Sequence, residues 1–158
     1  MKGFILYPTY RASNDGSYVW LFGKLENGQS FLSINKYEPY FYIKEKDAKK
    51  VKNVNIEKTN FKNFKNEKVS RIILEQPKEV SILRNELEEK GIECYEADVR
   101  FAYRYLIDKE IMMSIEIDGE YENGEFVDRI YYDASIVPCN FFPKLKIFSI
   151  DIETSKNS

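Results

Sequence analysis

The stretch from Tyr40 to Ala97 most constrains how this chain can fold. Pro39 has no backbone N–H to give a ladder, so it belongs at the start of a strand or on an edge. Tyr40 to Lys44 is the strand proper. Lys46 to Val51 reads as a short helix with a lysine-rich face. Asn53 to Lys58 reads as extended, and Phe61 to Glu67 as an Asn- and Lys-rich connection. Val69 to Leu74 is a second apolar run. The helix that follows has the clearest boundaries in the chain. Pro77 suits its first turn, and Gly91 suits the position just past its end. Val80, Leu83 and Leu87 fall on one face, and Glu86 and Lys90 form an i,i+4 pair. Ile92 to Ala97 is extended again. The order is strand, helix, strand, strand, helix, strand, which is the split βαβ or ferredoxin-like arrangement.

The flanks are rich in strands, so the fold class expected is α+β. Gly3 to Tyr7, Tyr18 to Gly23 and Gln29 to Ile34 are separated by Asn14-Asp15-Gly16 and Glu26-Asn27-Gly28. Both separators are turn signals, and the three runs predict an antiparallel meander. Trp20 and Phe22 share a face, and a core position for Trp20 is favoured over base stacking. Phe101 to Ile107 predicts a short helix. Met113 to Ile117 and Phe126 to Tyr132 alternate around Asp118-Gly119 and Asn123-Gly124 and predict an acidic hairpin. Val137-Pro138 and Phe142-Pro143 predict an irregular linker.

Charge excludes little by its total and more by its distribution. The 158 residues carry a net charge of −2. Nine lysines oppose four acids between Lys44 and Lys68, whereas twelve acids oppose four basic residues between Glu93 and Asp133. The lysine run is a solvated face or a phosphate-contacting patch. Twelve Tyr and eleven Phe favour strands and surfaces where flat rings meet bases. There is no apolar run of membrane-spanning length and no signal peptide at Met1-Lys2-Gly3, so a cytoplasmic location without membrane contact is expected. Cys94 and Cys139 lack metal or redox spacing and read as reduced thiols. Histidine is absent. A metal site here would use oxygen ligands, which suits Mg²⁺ or Mn²⁺.

Lys146 to Thr154 reads as a buried strand carrying Asp151 and Glu153 on one face. Two acids on such a strand need water, a partner or a metal. The chain stops five residues after Glu153, which leaves almost nothing to build a pocket, so an N-terminal piece of a larger enzyme is expected.

Three blocks together carry a resemblance. Tyr37-Glu38-Pro39-Tyr40-Phe41-Tyr42 resembles a strand near the N-terminus of family B DNA polymerases. Tyr95 to Lys109 resembles the segment that closes their N-terminal domain. Phe148-Ser149-Ile150-Asp151-Ile152-Glu153-Thr154 resembles their first exonuclease motif. Order and spacing agree over nearly the whole chain. The matches are strongest to archaeal members, and the long acidic hairpin is more like some bacterial ones.

The resemblance implies residues 1–143 as a polymerase N-terminal domain and 144–158 as the start of a 3′→5′ exonuclease domain. It implies that Asp151 and Glu153 are exonuclease metal ligands for Mg²⁺ or Mn²⁺ in the intact enzyme. Later acidic motifs and the palm are absent, so no catalysis is expected of this piece alone, and it requires no cofactor. The implied partners are single-stranded template DNA, the rest of the polymerase chain and, through missing parts, a sliding clamp. Archaeal members also carry a pocket that captures template uracil by backbone hydrogen bonds and excludes the thymine methyl group. The matching positions are Tyr7, Pro39, Val80, Arg84, Val99, Phe101 and Arg104. Tyr7 and Pro39 would wall the pocket, Val80 would floor it, and Arg104 would brace the loop or reach phosphate. One departure is Arg100, where many archaeal members have proline. It reshapes the loop or adds a phosphate contact.

Plainer readings stand beside these. Val80 suits core packing, Pro39 an edge strand, Tyr7 hairpin packing, and Arg104 an ion pair with Asp98 or Asp108. Two other functions remain open on the residues alone. One is a stand-alone ferredoxin-like RNA- or single-stranded-DNA-binding module, with Asp151 and Glu153 merely structural. The other is a free-standing exonuclease.

Overall fold

Alternation of apolar and polar residues builds the first sheet. The computed structural model describes residues 1–152. Strand β1 (Lys2–Ser13) and strand β2 (Gly16–Leu25) form a long hairpin, and β3 (Ser30–Lys36) continues the meander. Gly16 and Gly28 sit at the two turns with φ of 128° and 86°, a region that disfavours other residues. In β2 the buried side is Val19, Leu21 and Leu25. Trp20 and Phe22 do share a face, as expected, but it is the opposite, half-buried one. Trp20 is therefore not a core residue. Its indole lies under the Arg11 guanidinium, 5.5 Å from the ring centre.

The ferredoxin-like unit is present with the expected connectivity. It comprises β4 (Tyr40–Lys44), a 3-10 helix (Glu45–Lys50), β5 (Asn55–Lys62), β6 (Lys68–Ile73), α1 (Pro77–Glu89) and β7 (Cys94–Tyr95). The sheet order is β5-β6-β4-β7, all antiparallel. Each βαβ crossover is thus split by a strand of the other. Strand β5 runs on through Phe61, and β7 is shorter than the Ile92–Ala97 run. Phe41, Ile43 and Ile72 pack with Leu87 of α1 and with Ile92, while Val80 and Leu83 lie at the margin of this core.

Helix α2 (Phe101–Asp108) lies on the first sheet. Phe101, Ala102, Tyr105 and Leu106 join Ile5, Val19, Leu21 and Phe31 in the larger core.

Three expectations about the C-terminal third are corrected. The acidic hairpin does not form. Strand β8 (Ser114–Asp118) pairs with β1, and β10 (Arg129–Tyr132) pairs in parallel with β3, so the two lie on opposite sides of the meander. Strand β9 (Tyr121–Glu122) pairs with β10. Burying Ile115 and Ile117 against α2 places β8 on one free edge of the meander, and Tyr131 does the same for β10 on the other. The supposed linker at Val137 is instead strand β11 (Ser135–Pro138), paired with β8. The seven strands run β11-β8-β1-β2-β3-β10-β9. Finally, residues 146–152 form no strand. Phe148 is 82% exposed and Ile152 81% exposed, so the apolar side of this stretch has no neighbour to bury it among the described residues.

Candidate nucleic-acid-binding site

Where the two sheets meet, four segments enclose a cavity of about 380 Å³. This falls within the size of small-ligand sites, roughly 300–1,000 Å³. Strand β1 contributes Tyr7 to Tyr10. The register with β2 slips between Ile5 and Tyr7, so a bulge at Leu6 re-aims the strand as it reaches the cavity. Pro39 contributes the position just before β4. The first turns of α1 contribute Pro77, Val80 and Ser81. The loop after β7 and the start of α2 contribute Ala97 and the residues from Val99 to Arg104.

Six of the seven residues implied for base capture therefore meet at one cavity: Tyr7, Pro39, Val80, Val99, Phe101 and Arg104. Arg84 does not. It lies outside the lining, and its guanidinium donates to Asn85 Oδ1 at 3.0 and 3.2 Å. Pro39 is buried and Val80 half-buried, while Tyr7 is 61% exposed at the rim.

Arg104 braces the cavity wall. It is buried, and its Nη1 lies 2.7 Å from Glu96 Oε2 while Nη2 donates to the Glu96 carbonyl at 3.2 Å. Glu96 has a φ of 57°, a conformation that costs a non-glycine residue energy. Two bonds from one guanidinium hold that turn in place. The Arg104 guanidinium also lies 4.9 Å from the Tyr40 ring centre. Neither Asp98 nor Asp108 forms an ion pair with Arg104.

Asp108 instead accepts hydrogen bonds from the hydroxyls of Tyr37 and Tyr40. Burial, and then the Asp108 carboxylate, push both phenols far above their ordinary range, so they remain donors. Tyr37 packs on Phe101 with ring centres 5.6 Å apart, and Tyr10 meets the same ring edge-on at 5.5 Å. Tyr10 was not foreseen, because the predicted first strand ended at Tyr7. Arg100 is exposed at the N-cap of α2 and makes no side-chain cap there. Phe101, Ala102 and Tyr103, the first turn of α2, line the cavity, and the N-cap side chain leaves the amides of that turn uncapped.

Among the described residues, Asp151 belongs to no comparable site. Asp151 is exposed on an unpaired stretch, and Glu153 lies outside the described residues. No group of three or more His, Cys, Asp or Glu among the described residues could hold a metal ion. The residues described here therefore do not fit a two-metal centre.

No family model matches the chain. A DNA polymerase of Archaeoglobus fulgidus is 29% identical over 168 residues, covering 97% of this chain and 21% of that protein. DNA polymerase II of Escherichia coli is 26% identical over 163 residues, covering 98% of this chain and 20% of its own length. The chain is a relative of the family B DNA polymerases. The solved family B DNA polymerase of the archaeon Pyrobaculum calidifontis shares its fold, with a TM-score of 0.68 and 23% identity over 92% of this chain and 21% of that one. The match is to the N-terminal region of such polymerases, and the chain spans about a fifth of their length. No described helix is long and apolar enough to cross a membrane.

Proposed function

We propose that this chain is the template-reading N-terminal region of a DNA polymerase with 3′→5′ proofreading, and that its cavity captures uracil from single-stranded template. The observation that carries the reading is the convergence of Tyr7, Pro39, Val80, Val99, Phe101 and Arg104 on one cavity. A base swung into it would meet apolar walls and the amide donors of the α2 first turn. Pyrimidine carbonyls accept such donors, and a snug floor at Val80 would reject the extra methyl of thymine. Arg104 acts indirectly, by holding the Glu96 turn.

In this reading, residues 1–143 are the template-binding domain and the segment from 144 onward begins the exonuclease domain. Asp151 and Glu153 would supply two carboxylates to an exonuclease Mg²⁺ or Mn²⁺ site that further residues of the whole polymerase would have to complete. The chemistry of this chain alone is binding. The rest of the polymerase and, through it, a sliding clamp are its partners.

The test is anisotropy with labelled single strands carrying one uracil or one thymine at the same place. A preference for uracil that Val80→Gln abolishes supports the reading. Equal affinities across a salt series reject it. A nuclease-free sample of the chain should show no Mg²⁺-dependent exonuclease activity, and measurable activity would contradict the assignment of catalysis to the whole enzyme.

A further inference from the structure

The ferredoxin-like sheet has two faces, and only one lies under α1. On the other, Tyr42 of β4 sits opposite Tyr95 of β7. The Phe61 ring meets Tyr42 edge-on, with centres 6.2 Å apart. Phe61 is 63% exposed, and Phe64, at the tip of the next loop, is fully exposed. These rings line an open cavity of about 500 Å³.

The loop that carries Phe64 is held by its own bonds. Asn63 Oδ1 accepts from the backbone N–H of Lys65 at 3.0 Å and of Glu67 at 2.9 Å. Asn63 Nδ2 donates to the Tyr95 hydroxyl at 3.1 Å and to Glu67 Oε2 at 2.9 Å. The ring is thus presented to solvent by an ordered turn, which lowers the ordering cost of using it.

The charges beside the rings are unbalanced. Glu67 and Glu93 both pair with Lys44, at 3.0 and 3.1 Å, and Glu96 is held by Arg104. Lys62 and Lys65 have no carboxylate partner in the ion pairs of the described residues. Lys62 Nζ donates to Asn66 Oδ1 at 2.9 Å, a neutral partner that leaves its charge unbalanced. Exposed ring faces interleaved with such ammonium groups suit stacked bases and phosphates. An apolar protein patch would bury those lysines at a cost.

We propose that this face is a second contact for single-stranded DNA, with bases stacking on Phe61 and Phe64 and Lys62 and Lys65 meeting phosphates. Glu96 borders this patch, and Ala97 and Val99 border the base-capturing cavity, so a strand passing from one to the other crosses a single loop. Only the choice of DNA as the strand rests on the proposed function.

The experiment is anisotropy of the 158-residue chain with labelled oligo(dT), which contains no uracil, and with oligo(U) as a second arm. Phe61→Ala with Phe64→Ala is expected to weaken oligo(dT) binding by about tenfold or more. Lys65→Ala is expected to reduce the slope of log affinity against log salt by about 0.7. Both changes fall on exposed side chains, and circular dichroism will verify the fold. The uracil-to-thymine preference should survive the double variant, so loss of the second contact is read separately from loss of the cavity. Unchanged oligo(dT) affinity in the double variant overturns the proposal. So does tighter binding of oligo(U) than oligo(dT) by the Val80→Gln variant, whose base-capturing cavity is filled. If Phe64→Ala abolishes self-association in sedimentation while DNA binding is unchanged, the face is a protein contact and the proposal falls.

Discussion

Gly23 shows how little room the first sheet leaves at its bulge. A Cβ there would lie 2.2 Å from the Phe4 carbonyl oxygen and 2.4 Å from the Phe31 ring. The oxygen belongs to the backbone and cannot swing away. Gly23→Ala is therefore expected to cost about 3 kcal/mol, read from the urea midpoint. Glu67 governs a pH effect. Asn63 and Lys44, bonded to its carboxylate, hold its pKa at about 2, against an ordinary 4.5. Its contribution to stability is complete above the ordinary value and is lost as pH falls from about 4.5 towards about 2. Glu67→Gln should flatten the pH dependence of the thermal midpoint across that window. Cys94 is shifted the other way. Burial, and then Glu88, push its thiol up to about 11, so its alkylation by iodoacetamide should still be accelerating above pH 10, where an ordinary thiol has levelled off. At this scale the sequence disclosed residue types but not partners. Arg104 offered Asp98 and Asp108 as neighbours in the helical frame, yet it bonds to Glu96, which a left-handed turn brings within reach.

Elements bounded by local chemistry were legible, and elements defined by distant pairing were not. Helix α1 begins at Pro77 and is followed by Gly91 with a φ of 74°. Its first turn is tied down by Glu79, whose Oε2 accepts from the backbone N–H groups of Gln76 at 2.9 Å and Glu75 at 3.1 Å. Glu79→Ala should cost about 1 kcal/mol in chemical denaturation and reduce base capture only through Val80, one residue on. Strands β8 and β10 teach the opposite lesson. Ile115 and Ile117 announced a one-sided strand, and alternation fixed which side of it is buried. Alternation does not say which edge a strand joins, and the acids between the two runs suggested a hairpin that neither adopts. Strand β11 was hidden because Pro138 suggested a linker, although β11 is an edge strand, where a proline is tolerated. The stretch around Asp151 has the pattern of a buried strand but no paired neighbour among the described residues, so pattern alone could not place it.

The two sheets are joined by a small polar hinge. Asp108, at the end of α2, receives the hydroxyls of Tyr37 and Tyr40 from either side of Pro39. Leu74 N–H donates to the Pro39 carbonyl at 2.9 Å, and Ser17 Oγ donates to the Glu75 carbonyl at 2.8 Å. Asp108→Ala would strand two phenols in a largely desolvated seam and should cost about 3 kcal/mol of stability by urea titration, with Asp108→Asn losing less. The candidate cavity lies along the same seam, so its shape depends on this joint. The ferredoxin-like unit is in effect inserted between β3 and β10, which among the described residues are the only parallel neighbours in the larger sheet. Lys36 N–H meets Asp133 Oδ1 at 2.7 Å across 97 residues of chain. Closing so long a loop is entropically costly and slow compared with local hairpins. During synthesis the inserted unit is therefore complete while the meander still waits, with both its edges bare, for residues 114–138 to emerge and dock on either side.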